Sequence, residues 1–402
     1  MRYLKSTPNH VILAETGELP LKERAEFLAI KESVKLIYEN NCPIIKYLQH
    51  FMNADTLHKQ SSFLEKVTVL NNNHFKKLAQ MIPFKTTNKL RINSEIPYIL
   101  KNKCSIETQK RAVLEMLNSK YANEYQIFTD GSKIQGKTGY GLYDKQEKTS
   151  YSGRLNSYFT IMNAELFAIL KAINHIITKN ITEAVIFTDS QSSTLLLKNT
   201  KSNDKNIVCE ILEKLNNSEI TNITLQWIPG HIGIIGNCRA DHAAKLGTTL
   251  RLTENVGILK NDLILGLKYE TACAWEARYK QISEGKGINH YSIMPNIKLK
   301  PWFSDLTLTT EQTIIITRLR SGHAATKDRL YRWGLVPNDR CDACNTTENI
   351  SHILHECTKF NTIRTKYPIL KDNSDILPIL ARNKIGEIKQ LTGYIGETKI
   401  SL

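Results

Sequence analysis

The stretch Tyr125-Gln126-Ile127-Phe128-Thr129-Asp130-Gly131-Ser132 decides the reading of this 402-residue chain. Its aromatic and β-branched residues read as a strand, Gly131 opens a turn behind it, and Asp130 falls at the strand's end. In open α/β sheets ligands gather at strand ends, so a carboxylate there is a site position.

Three further acids stand in comparable places. Ile161 to Thr178 is apolar around most of its circumference and is expected as a helix buried against a sheet, with Glu165 an anomaly inside it. Ala184-Val185-Ile186-Phe187 reads as a strand covered on both faces that ends in Thr188-Asp189-Ser190, where Ser190 can cap the next helix. Asp241 is expected to begin a helix after the flexible loop Gly230-His231-Ile232-Gly233-Ile234-Ile235-Gly236-Asn237. The chain order is therefore Asp130, Glu165, Asp189, Asp241. Two divalent ions held roughly 3.5 to 4 Å apart need several convergent carboxylates, because hard anionic oxygens satisfy Mg²⁺ and cancel its charge.

The stretches Thr129-Asp130-Gly131-Ser132, Asn163-Ala164-Glu165-Leu166, Phe187-Thr188-Asp189-Ser190-Gln191 and Trp227-Ile228-Pro229-Gly230-His231, with Gly236-Asn237 and Ala240-Asp241, resemble the type 1 ribonuclease H domain over about residues 124 to 249. The resemblance implies an α/β fold, a mixed five-stranded sheet with flanking helices. It implies two Mg²⁺ ions, replaceable by Mn²⁺, bound by Asp130, Glu165, Asp189 and Asp241, with His231 ferrying protons and aiding product release. The implied reaction cuts the RNA strand of RNA/DNA hybrids and leaves 5′-phosphate and 3′-hydroxyl ends. Ser132, Thr160, Asn163, Gln191 and Asn237 are the candidates for substrate contact, sensing the 2′-hydroxyl and duplex shape rather than base edges.

The chain also departs from the family. Ile161 and Met162 stand where many cellular members carry a substrate-touching asparagine pair, and Cys238 follows Asn237 where an acid is common. The long basic insertion of some members is missing, and Lys198, Lys201 and Lys205 could replace it in part.

Cys341-Asp342-Ala343-Cys344, followed by His352 and Cys357, has the spacing of a tetrahedral Zn²⁺ site, with His355 as a reserve ligand. The bland alternative is buried free thiols. Cys42, Cys104, Cys209, Cys238 and Cys273 are scattered singly, so no disulfide framework is expected. Just upstream, Arg318, Arg320, Lys327, Arg329, Arg332 and Arg340 interleave with Tyr331 and Trp333; this could grip a nucleic-acid backbone or be a solvated helix face.

Charge is unevenly distributed. The chain carries a net +15, but residues 124–250 hold 13 basic and 12 acidic side chains, whereas residues 1–123 hold 19 against 11 and residues 251–402 hold 22 against 16. The flanks are therefore expected to supply much of the nonspecific, salt-dependent affinity for polyanions. The expected organisation is a helical leader and connector over 1–123, the ribonuclease H domain over 124–250, a helical basic region over 251–340, a zinc-knuckle-like module over 341–357 and a tail over 358–402. Helices are expected over 20–39, 43–70, 74–82, 261–284 and 310–333, an irregular connector over 83–110 with Pro83 and Pro97, and nothing definite for the last thirty residues.

No apolar segment is read as long enough to span a bilayer, and Met1-Arg2-Tyr3-Leu4-Lys5 leads into no secretory core, so an intracellular protein, cytoplasmic or nuclear, is expected. Lys76-Lys77 is the nearest approach to a nuclear-localisation cluster. Ala14-Glu15-Thr16-Gly17-Glu18-Leu19-Pro20-Leu21 ahead of the nuclease-like segment, and Arg329-Leu330-Tyr331-Arg332-Trp333-Gly334-Leu335 with the knuckle behind it, resemble the C-terminal part of a non-LTR (Jockey-like) retrotransposon reverse-transcriptase polyprotein. That resemblance implies hybrid and other nucleic acid as partners, with a reverse transcriptase or retroelement RNA beside them. Two other classes stay open: a noncatalytic nucleic-acid-binding remnant, and a transposase or integrase, against which the position of Glu165 before Asp189 argues.

Overall fold

A computed structural model of the chain describes residues 7–38, 85–96, 104–199, 206–254, 256–372 and 375–400. The helices expected over 43–70 and 74–82 lie outside these residues, as do Met1 to Lys5, Cys42, Lys76, Lys77, Pro83, Pro97, Lys201 and Lys205. The chain forms two units, Ala29–Leu267 and Met1–Leu28 with Lys268–Leu402. In order, the first elements are α1 (Asn9–Thr16), α2 (Leu21–Tyr38), β1 (Leu90–Asn93), α3 (Ile106–Asn118), β2 (Tyr125–Ile134), β3 (Lys137–Asp144) and β4 (Thr149–Leu155). There follow α4 (Ile161–Thr178), β5 (Glu183–Thr188), α5 (Gln191–Lys198), α6 (Asn206–Asn216), β6 (Asn222–Trp227), α7 (Ile235–Gly247) and α8 (Lys260–Gly285).

The strands form one mixed sheet in the order β1-β6-β5-β2-β3-β4. β2, β3 and β4 are antiparallel neighbours, while β2, β5, β6 and β1 run parallel. This corrects the expected five strands. Leu90-Arg91-Ile92-Asn93, inside the supposed connector, pairs with Ile223 to Gln226 at the sheet's edge. A four-residue edge strand with an outward arginine carries little apolar signal. The connector reading fails again at α3, which Ser105 caps and which buries Val113, Met116 and Leu117.

Period-two alternation splits the strands between two layers. Ile127 and Ile186 pack with Leu166, Ile169 and Ile173 of α4 and with Ile211 and Leu215 of α6. Phe128, Val185 and Phe187 pack on the opposite face with α3 and with Ala240 of α7. Each such fully buried side chain contributes roughly 1.5 to 3 kcal/mol. Against the expectation of no membrane-length segment, α4 is long and apolar enough by length and composition to cross a bilayer. Leu166, Phe167, Ile169, Leu170, Ile173 and Ile176 of this helix are buried in the sheet's core.

β2 does not stop at Asp130. It pairs with β5 only as far as Thr129 opposite Thr188, then continues beside β3 to Ile134. There Gln135 and Gly136, at φ of 49° and 75°, make the two-residue turn into Lys137. Asp130 thus lies where the sheet opens between β2 and β5.

In the other unit, α9 (Ile288–Ile293), α10 (Thr310–Ser321) and α11 (Lys327–Arg332) follow α8. The single helix expected over 310–333 is broken, because Gly322, at φ 67°, ends α10. Arg320, expected within a nucleic-acid-gripping stretch, is internal: its Nε donates to both Glu15 oxygens of α1 at 2.9 and 3.1 Å, and its Nη1 to the Leu380 carbonyl and Asn383. His290 joins Glu15 to the Tyr279 hydroxyl at 2.8 and 2.6 Å. Lys327 pairs with Asp342 at 2.6 Å, and Arg340 donates to the Asn345 carbonyl. The unassigned tail contains α-helices over Leu377–Arg382 and Ile385–Thr398, the latter burying Ile388, Leu391, Tyr394 and Ile395.

Candidate active site and cysteine cluster

The pairing of Thr129 with Thr188 sets Asp130, still on β2, beside Asp189, the first residue past the end of β5. Glu165 enters from α4, whose N-cap Thr160 accepts a hydrogen bond from the Asn163 N–H. A Cβ on Gly131 would lie 2.5 Å from the Glu165 nitrogen, so glycine is what lets α4 approach β2 this closely. As a result, ligand oxygens of Asp130, Glu165 and Asp189 lie within 4.8 Å of one another.

Their electrostatics are those of a cation site. Burial, then the negative charges of Asp189 and Asp241, push the Asp130 carboxyl up to about 8. Burial and the charges of Asp130 and Asp189 raise Glu165 as well, and the Gly131 N–H opposes them only in part. Glu165 Oε2 is buried with no hydrogen-bond partner. Three crowded carboxylates, one of whose oxygens is orphaned, fit a hard divalent ion.

Asp189 is held on several sides. Asn237 Nδ2 donates to its Oδ2 at 2.9 Å, Trp227 Nε1 donates to its backbone carbonyl at 3.1 Å, and a Cβ on Gly230 would lie 2.9 Å from Oδ2. His231, the next residue, is exposed and takes a left-handed φ of 59°. Asp241 does not begin its helix. α7 starts at Ile235, since Ile234 is already buried against the sheet, and Asp241 lies in the second turn. It is half-buried, 2.8 Å from Lys245 Nζ, and stands outside the group formed by the other three acids.

The candidate substrate contacts divide. Ser132 and Gln191 are half-buried, beyond Asp130 on β2 and at the start of α5. Asn237, expected at the substrate, is 5% exposed and turned to Asp189, with Oδ1 buried and unpartnered. Thr160 and Asn163 are engaged by Asp262 of α8, which the sequence reading passed over. Its Oδ2 accepts from the Thr160 N–H at 3.2 Å and its Oδ1 from Asn163 Nδ2 at 2.8 Å. Burial raises the Asp262 carboxyl, and these hydrogen bonds offset the rise in part.

The sequence profile of the RNase H family matches residues 122–249. The ribonuclease H of Hahella chejuensis (strain KCTC 2396) is 32% identical over an alignment of 148 residues, covering 32% of this chain and 96% of that protein. The chain belongs to the ribonuclease H family. All four acids, His231 and Asn237 fall within the ribonuclease H segment, whereas β1, α3 and Asp262 fall outside it.

A second cluster lies beyond the ribonuclease H segment. Ligand atoms of Cys341, Cys344, His352 and Cys357 lie within 4.8 Å of one another. The sulfur of Cys357 is 3.7 Å from that of Cys341 and 3.9 Å from that of Cys344. A tetrahedron of thiolates about 2.3 Å from a central Zn²⁺ has edges of about 3.8 Å. His352 Nδ1 meets the Thr346 hydroxyl at 3.2 Å, while its Nε2 is buried and unpartnered, the arrangement of a ligand oriented through its second nitrogen. His355 does not join the group. Hydrogen bonds from Thr358 lower the Cys344 thiol to about 7, and burial raises that of Cys357 to about 11.

Proposed function

We propose that the chain is a divalent-metal-dependent endoribonuclease that hydrolyses the RNA strand of RNA/DNA hybrids, giving 5′-phosphate and 3′-hydroxyl ends. The observation that carries this reading is the convergence of Asp130, Glu165 and Asp189, with an orphaned buried oxygen on Glu165, inside the segment that matches the family. Asp130, Glu165, Asp189 and Asp241 would hold two Mg²⁺ ions, which Mn²⁺ could replace. When bound, these supply activation of the attacking water and charge stabilisation for the departing 3′ oxygen.

The chain's own residues do the rest. Asn237 restrains the rotamer of Asp189 by donating a hydrogen bond to its Oδ2. His231, exposed directly after the glycine packed on Asp189, offers an imidazole that can take up and return a proton. Ser132 and Gln191, each two residues after one of the carboxylates, would meet the backbone of the bound hybrid. The cysteine cluster would hold one structural Zn²⁺ through Cys341, Cys344, His352 Nε2 and Cys357, since its donors, spacing and oriented histidine suit that ion. We place the chain, from the leader and knuckle resemblance, as the derivative of a retroelement protein acting inside the cell on hybrid made by a reverse transcriptase.

Labelled RNA/DNA hybrid, single-stranded RNA and duplex DNA, each incubated with the full chain in Mg²⁺ and in EDTA, test the reading. It requires fragments from the hybrid's RNA alone, in Mg²⁺ alone, with phosphatase-sensitive 5′ ends. Intact RNA in a sample that nonetheless binds hybrid would leave a noncatalytic nucleic-acid-binding protein.

A further inference from the structure

We propose that α3 belongs to the substrate site and that its Lys110 binds a backbone phosphate of the hybrid beside His231; this rests on the ribonuclease reading of the carboxylates. α3 precedes the segment that matches the family, so that match assigns it no part.

The helix is built onto the loop that carries His231. Ser105 caps α3, and Val113, Met116 and Leu117, at i, i+3 and i+4, form its buried stripe. The stripe shares one core with Ile228, Ile232 and Ile234. Along the loop, Ile232 and Ile234 are 6% and 2% exposed, whereas His231 and Gly233 are exposed. The two isoleucines therefore pin the loop against α3 and leave the residues between and before them at the surface.

Lys110 stands at that surface. A Cβ on Gly233 would lie 3.3 Å from Lys110 Nζ and 3.8 Å from its Cε, so the bare glycine keeps the place of the ammonium clear. Gly233 also takes a left-handed φ of 77°, which glycine adopts without strain. Lys110 is exposed, and among the described residues no carboxylate pairs with it. At the other end of the loop, a Cβ on Gly230 would lie 2.9 Å from Asp189 Oδ2. Three residues, at most about 11 Å of chain, separate the two glycines. A strand advances about 3.4 Å per nucleotide along a duplex axis, so one whose scissile bond lies at the carboxylates presents a phosphate to Lys110 within about three nucleotides of that bond.

Charge complementarity points the same way. Residues 124–250 are nearly balanced, with 13 basic against 12 acidic side chains, so cations for the hybrid's backbone have to come largely from outside that segment. A lysine offers a phosphate a point charge and reads no base, which suits a contact that positions a duplex of any sequence.

The test measures binding of a labelled RNA/DNA hybrid to the full chain in EDTA at several salt concentrations, for wild type, Lys110→Gln, Lys110→Arg and Lys148→Gln, with cleavage in Mg²⁺ followed in parallel. Lys148, exposed in the turn between β3 and β4, is the charge-matched control. Lys110→Gln should bind about three- to tenfold more weakly than wild type, with the slope of log affinity against log salt shallower by about 1, as one lost phosphate contact requires. Lys110→Arg, which keeps the charge, and Lys148→Gln should both stay within about twofold of wild type. Lys110→Gln matching wild type in affinity and slope, or losing no more than Lys148→Gln, overturns the proposal, as does absence of binding by wild type. Binding that depends on Lys110 without any cleavage refutes the ribonuclease reading alone, and cleavage with binding indifferent to Lys110 refutes this proposal alone.

Discussion

Asp130→Asn should stabilise the metal-depleted protein while abolishing its chemistry. The Asp130 carboxyl titrates near 8 in the folded chain, against an ordinary 3.8, because it is buried and then because Asp189 and Asp241 repel its charge. A raised carboxyl favours the folded state fully below about pH 4, and that contribution is lost as pH rises through 8. Ionising it in place costs the folded state on the order of 5 kcal/mol, and relaxation of the coupled carboxylates reduces the measurable part to a few kcal/mol. Asparagine keeps the shape and removes the charge. Urea unfolding in EDTA between pH 5 and 9, followed on the transition that responds to Mg²⁺, reads the effect directly. The variant should be more stable by about 2 to 4 kcal/mol at pH 8.5, with the difference shrinking toward pH 5, and Mg²⁺ should stabilise wild type more than the variant. A variant equal to or less stable than wild type at pH 8.5 would refute the account of three crowded, charge-frustrated carboxylates.

Other outcomes follow from the same geometry. Asn237→Ala, which frees Asp189 and leaves the neighbouring polar groups unsatisfied, should weaken Mg²⁺ binding about tenfold or more, read as the midpoint of Mg²⁺-dependent thermal stabilisation. Purified chain should contain one Zn²⁺, and Cys357→Ser should lose it together with several degrees of thermal midpoint; metal analysis showing none in wild type would dismiss the site. Glu15→Ala strands the Arg320 guanidinium in the core and should cost about 3 to 5 kcal/mol in chemical denaturation, whereas a loss under 1 kcal/mol would mean that water reaches it.

Asp130, Glu165 and Asp189 were legible because each follows or interrupts an apolar run whose period is unambiguous: Ile127-Phe128, the body of α4, and Val185-Ile186-Phe187. What escaped the sequence depends on partners far along the chain. Asp130 reads as a strand end because nothing local reveals that β2 outruns β5 and continues beside β3. Arg320 reads as a surface base because its carboxylate partner, Glu15, comes 305 residues earlier. Asp262 reads as an ordinary first-turn acid until α8 is laid on α4. β1 is too short and polar to declare itself. Ser105 and the spacing of Val113, Met116 and Leu117 did carry a helical signal for α3, masked by reading its start as part of a proline-bearing connector. The cysteine cluster was legible in spacing, which already named His352 with His355 in reserve, and the fold brings His352 rather than His355 to the three cysteines.

The central claim is that these converging acids make a working hybrid nuclease. It is met most directly by comparing wild type and Asp189→Asn on one labelled RNA/DNA hybrid in Mg²⁺, with binding measured on the same samples. Cutting of the RNA strand by wild type, abolished in a variant that still folds and binds hybrid, is the predicted result. Equal cutting by both, or none by a folded wild type that binds hybrid, would contradict it.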